Sequence, residues 1–402
     1  MKITEITTRR LRLGAEPWFA PRAIPSGHVP YWEFPFTTLH TDEGIDGYTM
    51  DYGPLGQGRG SAYAVHDIFY YDLVGQDPLN HEAIWQKLRM KQRHLYNFTE
   101  TIWSNLDVAL WDIKGKALNQ PVHAILGGMA RNYCECYNTA GTIPGVKSGM
   151  SLKERAQLTI AAGYRAFRMG AADAPANTMY NTHERINQLA ADCAEVRQGV
   201  GKNGDWCVDF HQRFDLSDAI RGCELIRDLA PYFVEDPVRT EAFGEDLPIL
   251  RRKVSVPLAA GEEWGNRWDF NKLIENHDLD YVRATLPNVG GITEMMKIAA
   301  LCETHFVGMI PHFTGPVSTA ALVNCLGTFS GPVLMEYNYG GRTVAHLPQG
   351  LDFRNGKLYA SDRPGLGVEV DWAQLKMIAE FTQHITNRAQ TYFRPDGSIT
   401  NW

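Results

Sequence analysis

The sequence predicts an α/β protein, a (β/α)8-type (TIM) barrel with an α+β capping domain. From about Tyr133 onward, short apolar runs alternate with helical patterns through eight steps in about 200 residues, the number of steps in such a barrel. The residues before this point read as strands followed by helices, which is typical of a small α+β unit. A doubly wound open sheet is the alternative. It usually carries a glycine-rich phosphate loop after its first strand, and Asn138-Thr139-Ala140-Gly141 is not such a loop.

Composition and charge restrict the class of protein. Of 402 residues, 44% are hydrophobic and 21% are charged, and the net charge of -7 argues against a nucleic-acid surface. No apolar run approaches the roughly 20 residues of a membrane helix, and the alternating, charged segment 1–13 does not have the pattern of a signal peptide. The seven dispersed cysteines indicate buried thiols in a reducing compartment. We therefore expect a cytoplasmic protein with no nucleic-acid or membrane partner.

The residues before the barrel predict a strand, a loop, a hairpin and three helices. Residues 1–13 alternate in polarity, as a strand does. Residues 14–36 interleave aromatic residues with prolines and predict either a lid, with Trp32 as its candidate substrate contact, or a loop packed on the domain core. Phe36–His40 and Gly47–Met50 flank a turn and predict a hairpin. Helical patterns follow at 60–75, 80–92 and 99–118.

The barrel pattern places each element within a narrow interval. Strands are predicted at 133–138, 164–169, 205–210, 231–235, 256–260, 280–284, 306–310 and 332–336. Helices are predicted between them, at Ser151–Ala162, Glu184–Gly199, Leu216–Leu229, Arg267–Asn276, Thr293–Thr304 and Val317–Leu326. An amphipathic pattern from Trp372 to Arg388 predicts a helix in a tail that could return to the first domain. We therefore assign residues 1–128 with 371–402 to the cap and 129–370 to the barrel.

Three successive predicted strands end at an acid. Asp209, Glu235 and Glu262 are 26 and 27 residues apart, about one strand, one helix and two loops. Because parallel barrel strands end at one face, the three carboxylates would converge and repel one another unless a cation lies between them. Oxygen ligands suit Mg²⁺. The alternative for each acid is a helix cap or an ion pair with a nearby arginine. Strand alternation turns the adjacent Asp236 and Glu263 the other way, so they are expected to be structural or to support the ligands.

Four more residues near strand ends carry groups that suit proton transfer or ion pairing. His211 lies two residues after Asp209, so strand alternation predicts that both side chains point to the same side. His312 and Glu336 end the seventh and eighth strand segments. Histidine is the usual proton-transfer residue near neutral pH, although His211 and His312 could each be a packed or surface imidazole. Arg168, near the end of the second strand, could pair with a ligand acid, hold a substrate carboxylate or lower the pKa of a tyrosine.

An ordered set of motifs runs through most of the chain. Its members are Thr41-Asp42-Glu43-Gly44 with Gly47, Ala109-Leu110-Trp111-Asp112-Ile113-Lys114-Gly115-Lys116, Asp209-Phe210-His211, Glu235-Asp236-Pro237, Gly261-Glu262, Gly290-Gly291-Ile292-Thr293 and Arg363-Pro364-Gly365-Leu366-Gly367. With this set the chain resembles the enolase superfamily, in the mandelate-racemase-like group and close to mannonate and related sugar-acid dehydratases. The resemblance implies a cap formed by both termini over a modified barrel, with Mg²⁺ on Asp209, Glu235 and Glu262.

Departures from the patterns of this group narrow the expected reaction. Many relatives carry Lys-x-Lys at the end of the second strand, where this chain has Ala166 and Arg168, so a racemase or cycloisomerase that depends on those lysines is not expected. Many dehydratases pair the seventh-strand histidine with an aspartate on the sixth strand. This chain has Thr285 there, which would make His312 a weaker base. In mannonate dehydratases a tyrosine works with the second-strand arginine, and Tyr180, 12 residues after Arg168, is its candidate here.

The resemblance implies dehydration of a sugar acid through an enediolate. Tyr180 or His312 would remove the proton beside the carboxylate, Arg168 would assist, and His211 would protonate the departing 3-hydroxyl, which gives a 2-keto-3-deoxy acid. The residues predicted to bind the substrate are Glu336, His312, Arg283 and Trp32. One alternative is a hydroxy-acid epimerase or racemase with His211 and His312 as opposed bases, and another is a metal- and sugar-acid-binding protein without catalysis. A homo-oligomer is expected, because large barrels often form symmetric oligomers.

Overall fold

A computed structural model describes residues 1–13, 32–50, 64–92, 97–140, 143–170, 179, 181–239, 243–338, 351–382 and 392–400. The predicted α/β architecture is confirmed, with an antiparallel capping sheet beside a barrel of parallel strands. Within these segments, no helix combines the length and the apolar character that crossing a membrane requires.

Three antiparallel strands begin the capping sheet: β1 (Ile3–Leu13), β2 (Trp32–Thr41) and β3 (Gly47–Met50). The predicted hairpin is confirmed, with Phe36 opposite Met50 and Leu39 opposite Gly47. A Cβ atom at Gly47 would lie 2.1 Å from the carbonyl oxygen of Ala109. Glycine at this position therefore lets the hairpin pack directly on the helix that carries Ala109.

The predicted loop 14–36 is wrong at its C-terminal end. Residues 14–31 lie outside the described part of the chain, but Trp32 to Phe36 belong to β2, and Trp32 pairs with Leu13. The alternation of Trp32, Phe34 and Phe36 is itself a strand pattern. The prolines concealed it, although Pro35 is compatible with a strand because pairing with β3 begins only at Phe36.

The predicted helix from Trp372 to Arg388 is also wrong as far as residue 382, and residues 383–388 lie outside the described part of the chain. A single 3₁₀ turn, Trp372–Gln374, leads into strand β14 (Lys376–Phe381), which pairs antiparallel with β1. The open edge of β1 supplies a ladder of hydrogen-bond partners, and this tertiary context outweighs the local helical pattern. The ion pair between Arg9 and Glu380, at 2.7 Å, crosses the same two strands. The expected return of the tail to the first domain is therefore confirmed, while the boundaries at residues 128 and 370 stay a prediction.

Helices cover one side of the capping sheet. They are a π-helical turn at Val65–Phe69, α1 (Tyr70–Leu73), α2 (His81–Gln92), α3 (Asn97–Ala117) and α4 (Val122–Ile125). The stripe predicted on α3 is confirmed, because Leu106, Leu110 and Ile113 are fully buried and pack in one cluster with Ile3 and Leu39 of the sheet.

The eight predicted barrel strands are confirmed; none extends more than one residue beyond its interval, and several are shorter than predicted. They are β4 (Cys134–Thr139), β5 (Ala166–Gly170), β6 (Asp205–Asp209), β7 (Val234–Glu235), β8 (Leu258–Ala260), β9 (Tyr281–Val282), β10 (Gly308–Met309) and β11 (Met335–Glu336). Neighbours pair in parallel from β4 to β10, β11 pairs with β4, and a bridge between Met309 and Val333 completes the barrel. A hairpin of β12 (Asp352–Arg354) and β13 (Lys357–Tyr359) extends β4, and β15 (Tyr392–Phe393) pairs with β16 (Ile399–Thr400).

Helices follow the barrel strands at the six predicted intervals and at two more, Phe243–Arg251 and Leu286–Val289. They are α5 (Leu152–Ala161), α6 (Thr182–Val200), α7 (Leu216–Ile226), α8 (Phe243–Arg251), α9 (Arg267–Glu275), α10 (Leu286–Val289), α11 (Gly291–Thr304) and α12 (Pro316–Thr328). Local sequence sets some of the boundaries, since α5 begins with a capping box between Ser151 and Glu154 and α9 with one between Asn266 and Asp269.

One buried carboxylate links the cap to the barrel close to the C-terminal strand ends. Asp107 of α3 accepts hydrogen bonds from the N–H and the hydroxyl of Thr293 in α11, at 2.9 and 2.6 Å. The chain can approach this closely because Gly291, with φ of +76°, has no side chain, and a Cβ atom there would lie 2.5 Å from Asp107. The cap is therefore fixed to the N-terminal end of α11, the barrel helix that carries Thr293.

Candidate active site

The predicted acids meet at the C-terminal face of the barrel. Asp209 and Glu235 are the last residues of β6 and β7 and are direct partners in the strand register, and Glu262 lies two residues beyond β8. One oxygen each of Glu235, Asp236 and Glu262 lies within 4.8 Å of the others, and Asp209 and Glu235 are joined through a shared arginine. This part of the barrel can hold a metal ion with oxygen ligands.

Asp236 lies closer to the site than the sequence indicated. Strand alternation predicted that it would point away from Glu235, but β7 ends at Glu235 and Asp236 has φ of 41°, so the strand rule no longer applies. Its side chain is fully buried. Burial, together with the charge of Glu262, raises the pKa of Asp236 well above the usual range.

Arg168 of β5 joins the first two acids. Its guanidinium donates to Asp209 Oδ2 at 2.5 Å and to the two oxygens of Glu235 at 2.6 and 2.9 Å. Of the three roles that the sequence left open, the structure shows pairing with two of the predicted ligand acids, Asp209 and Glu235. Burial raises the pKa of Asp209 to about 7, and the charge of Arg168 opposes that rise.

Arg283, which follows β9, is the second buried cation of the site. It is 0% exposed and forms ion pairs with Glu235, with Glu262 at 3.2 Å and with Glu336 at 2.6 Å. It also donates to the hydroxyl of Tyr137 at 2.5 Å. The two arginines lie on different sides of Glu235, which holds this carboxylate in one orientation.

Glu336, the last residue of β11, is held by donors on both oxygens. Oε1 accepts from Thr139 at 2.5 Å and from Asn338 at 3.0 Å, and Oε2 accepts from the N–H of Phe313 at 3.0 Å. Burial disfavours its charge, but Arg283 and then Arg168 outweigh burial and hold the pKa of Glu336 well below its usual range. Glu336 is therefore an anion at neutral pH.

The charges at the site favour a divalent cation. Five carboxylates, those of Asp209, Glu235, Asp236, Glu262 and Glu336, face two buried guanidinium groups. The excess is three negative charges when all seven groups are ionised. The raised pKa values of Asp209 and Asp236 are what crowding and burial of acids produce, and a bound cation would favour their ionised forms. The donor set and its charge thus fit a hard divalent metal ion.

His211 adjoins the first acid but is not placed by strand alternation. β6 ends at Asp209, and His211 has φ of 52°, so it belongs to a turn. Its N–H donates to Asp209 Oδ1 at 2.6 Å. The imidazole is half-buried and lies close enough to Asp209 and Glu262 for its positive charge to favour their ionised forms.

His312 faces Glu262 from another strand end. Its Nε2 lies 3.6 Å from Glu262 Oε2, and within the described residues its buried Nδ1 has no hydrogen-bond partner. Thr285 does not substitute for the missing aspartate, because its hydroxyl donates to the backbone carbonyl of Glu262 at 2.6 Å. Asn288 donates to the same carbonyl at 2.8 Å. The sixth-strand position therefore holds the backbone of Glu262, a predicted ligand, instead of orienting His312.

Two predicted site residues stay predictions. Tyr180 lies outside the described residues, and of Trp32 only the strand backbone is described. Sequence reasoning also missed Tyr137, Thr139 and Asn338, which hold Arg283 and Glu336. The strand-end rule would have identified Thr139, because it is the last residue of β4.

Comparisons with known proteins agree with this geometry. Residues 9–127 match the profile of the mandelate racemase/muconate lactonizing enzyme N-terminal domain, and residues 151–374 match the enolase C-terminal domain-like profile. The second match alone spans more than half of the chain. The two matched segments follow the capping region and the barrel in order.

Full-length relatives and solved structures match as well. The chain is 31% identical to a D-galactonate dehydratase of Pectobacterium atrosepticum over 420 aligned positions, which cover 100% of both chains. It is 32% identical to a D-galactonate dehydratase of Xanthomonas oryzae pv. oryzae, again over 100% of both chains. A crystal structure of a mandelate racemase/muconate lactonizing enzyme from Jannaschia sp. superposes with a TM-score of 0.80 at 25% identity and covers 93% of this chain and 96% of that one.

Proposed function

The chain belongs to the mandelate racemase/muconate lactonizing enzyme family of the enolase superfamily, and on that basis we propose that it is a hydro-lyase that dehydrates an aldonate to a 2-keto-3-deoxy acid. The observation that carries the proposal is a metal-compatible cluster of Glu235, Asp236 and Glu262. Asp209 is joined to this cluster through Arg168 and accepts a hydrogen bond from the N–H of His211. Full-length relatives named D-galactonate dehydratase support the reaction and make D-galactonate the first substrate to test. They also favour an enzyme over a non-catalytic binding protein.

Asp209, Glu235 and Glu262 are the residues that would hold Mg²⁺. Each is a buried carboxylate at a strand end, and oxygen ligands in a crowded anionic site suit this ion. When bound, Mg²⁺ would stabilise the negative charge that develops on the substrate carboxylate as the neighbouring C–H bond is broken. Asp236 and Arg168 would support these ligands through the contacts described above.

His211 would deliver the proton to the departing 3-hydroxyl. An acid for this step must carry a proton near neutral pH, and the imidazole of His211 lies close enough to Asp209 and Glu262 for its charge to act on both acids. The base that removes the proton at C2 would be Tyr180, assisted by Arg168, or His312. His312 lies 3.6 Å from Glu262, and Thr285 bonds to the Glu262 carbonyl instead of orienting the imidazole, which supports its role as the weaker of the two candidates.

The substrate-binding residues that we propose are Glu336, Arg283, His312 and Trp32. Arg283 is fully buried and bound by three carboxylates, so a direct contact with substrate would require one of these ion pairs to open. We therefore assign Arg283 chiefly the task of keeping Glu262 and Glu336 ionised and in place. A homo-oligomer and a cytoplasmic location remain part of the proposal on sequence grounds alone.

A screen of C4 to C6 aldonates with Mg²⁺, read out as 2-keto-3-deoxy acid, tests this function. We expect at least one substrate, with D-galactonate first in line, and no product from the Asp209→Asn variant. The second candidate is an epimerase, favoured by the placement of both His211 and His312 beside Glu262. It predicts solvent deuterium at C2 with the 3-hydroxyl retained. If no acid sugar is dehydrated under these conditions, the dehydratase assignment is wrong.

A further inference from the structure

We propose that Gln212 and Asp236 form a positioning pair that holds His211 in the orientation needed for proton transfer. This inference rests on the proposed function, because the proposed function assigns the proton transfer to His211. The pair would act through the backbone of the turn that carries the imidazole. Neither residue is assigned a contact with the substrate.

The turn after β6 has an unusual backbone conformation. His211 and Gln212 have φ values of 52° and 58°, and Asp236 at the end of the neighbouring strand has a φ of 41°. Residues with a Cβ atom are disfavoured in this left-handed region. Such residues persist where surrounding interactions hold them, and they cluster at functional sites. The hydrogen bonds that hold this turn are therefore part of what places His211.

Asp236 supplies two of those bonds. Its carbonyl oxygen accepts from the N–H of Gln212 at 3.0 Å, and its Oδ2 accepts from Gln212 Nε2 at 3.1 Å. On the opposite side, Oδ1 accepts from the N–H of Gly261 at 3.4 Å, and the N–H of Asp236 donates to the carbonyl of Ala259 at 2.9 Å. Because Asp236 is fully buried, water does not compete for these bonds. Asp236 thus connects the ends of three neighbouring strands.

These strand ends carry the proposed ligands. Gln212 lies three residues after Asp209, Asp236 follows Glu235, and Gly261 precedes Glu262. The N–H of His211 is held by Asp209 Oδ1 at 2.6 Å, and the next N–H along the chain is held by Asp236. Both peptide groups that flank the His211 Cα atom are therefore fixed, which sets the direction of its Cα–Cβ bond. Gln212 adds the side-chain bond that keeps this turn closed.

Three variants test the pair. In Gln212→Ala we expect kcat for the aldonate to fall about 10- to 100-fold, as for other residues that orient a functional side chain, while KM and the Mg²⁺ affinity from calorimetry stay within about threefold. Exchange of the His211 amide hydrogen should become faster, because the turn opens more often. Gln212→Glu should be at least as damaging, since it places a carboxylate against Asp236. The double variant Gln212→Glu with Asp236→Asn should restore activity. The amide introduced at position 236 can donate to the carboxylate introduced at position 212, and its oxygen can still accept from the N–H of Gly261.

The matched control is Gln188→Ala. Gln188 Nε2 donates to Asp192 Oδ1 at 3.1 Å on the exposed surface of α6. Gln188→Ala therefore removes a hydrogen bond of the same kind and length, but away from the site. We expect its kcat and its His211 amide exchange to equal those of the wild type. Wild-type values in Gln212→Ala would overturn the inference. A parallel loss of Mg²⁺ affinity and kcat, without rescue in the double variant, would overturn it as well by making Asp236 a metal ligand. If the wild type dehydrates no aldonate, the proposed function fails, and exchange of the His211 amide still decides the inference.

Discussion

Replacing Arg168 by methionine removes the guanidinium that joins Asp209 to Glu235. The side chain is 8% exposed and donates to both carboxylates at 2.5 to 2.9 Å. Removing one partner from a buried ion pair usually costs about 3–5 kcal/mol, because it leaves an uncompensated buried charge. We expect a loss of this size in the free energy of unfolding of the metal-free protein.

The pH dependence of the loss follows from the same contacts. Without Arg168, the pKa of Asp209, which burial already raises to about 7, should rise further. Folding would then take up a proton, so the stability of the variant should fall more steeply than that of the wild type as pH rises from 6 to 8. Saturating Mg²⁺ supplies a replacement cation and should stabilise the variant by at least about 1 kcal/mol more than it stabilises the wild type.

Urea unfolding followed by tryptophan fluorescence, with EDTA or with Mg²⁺, measures both effects. The matched control is Arg165→Met, which removes an ion pair with Asp205 at 2.7 Å whose side chains are 45% and 28% exposed. Such an exposed pair contributes about 0–1 kcal/mol. The reasoning about the site is refuted if Arg168→Met costs no more than Arg165→Met, or if Mg²⁺ stabilises it no more than the wild type.

Three further predictions concern His211, Asp107 and Gly291. His211→Asn should lower aldonate dehydration by at least about 100-fold while calorimetry still shows Mg²⁺ binding, and wild-type turnover would contradict its role as the acid. Burial raises the pKa of Asp107 to about 7 against the hydrogen bonds from Thr293, so folding favours the protonated acid. Its contribution to stability should therefore decline from about pH 4 to pH 7, by up to roughly 1.4 kcal/mol per pH unit. In Asp107→Asn the melting temperature should depend less on pH over this range. Gly291→Ala should lower the free energy of unfolding by at least about 2 kcal/mol, measured with denaturant, because its Cβ atom would lie 2.5 Å from Asp107. The control Gly244→Ala, whose Cβ atom would meet no atom within 4 Å, should not show this loss.

The barrel could be predicted from the sequence because each strand is an apolar run of its own. The interior is filled by residues such as Phe233, Ala259 and Ile310, which stand out as short hydrophobic segments between helical patterns. The strand ends could be located for the same reason, and with them Asp209, Glu235 and Glu262. Local pattern failed for the tail, where Lys376–Phe381 became a strand because the free edge of β1 is provided by residues more than 360 positions earlier.

The details of the site depend on contacts that sequence spacing does not contain. Strand alternation placed His211 correctly beside Asp209 but for the wrong reason, since the strand ends and a left-handed turn begins. Alternation also predicted wrongly that Asp236 points away from Glu235, because Asp236 itself has a positive φ and its carboxylate lies with those of Glu235 and Glu262. The partners of Arg168 come from β6 and β7, and only the assembled barrel brings them within hydrogen-bond distance.

Proton NMR of the protein with D-galactonate and Mg²⁺ in D₂O follows both loss of the C2 proton and formation of the product. We expect the C2 proton signal to disappear while signals of a 2-keto-3-deoxy acid grow. EDTA should stop both changes, and Asp209→Asn and His211→Asn should yield no product. Exchange of deuterium into C2 with the 3-hydroxyl retained would indicate the epimerase instead. Product formation that continues in EDTA would contradict a metal site built on Asp209, Glu235 and Glu262.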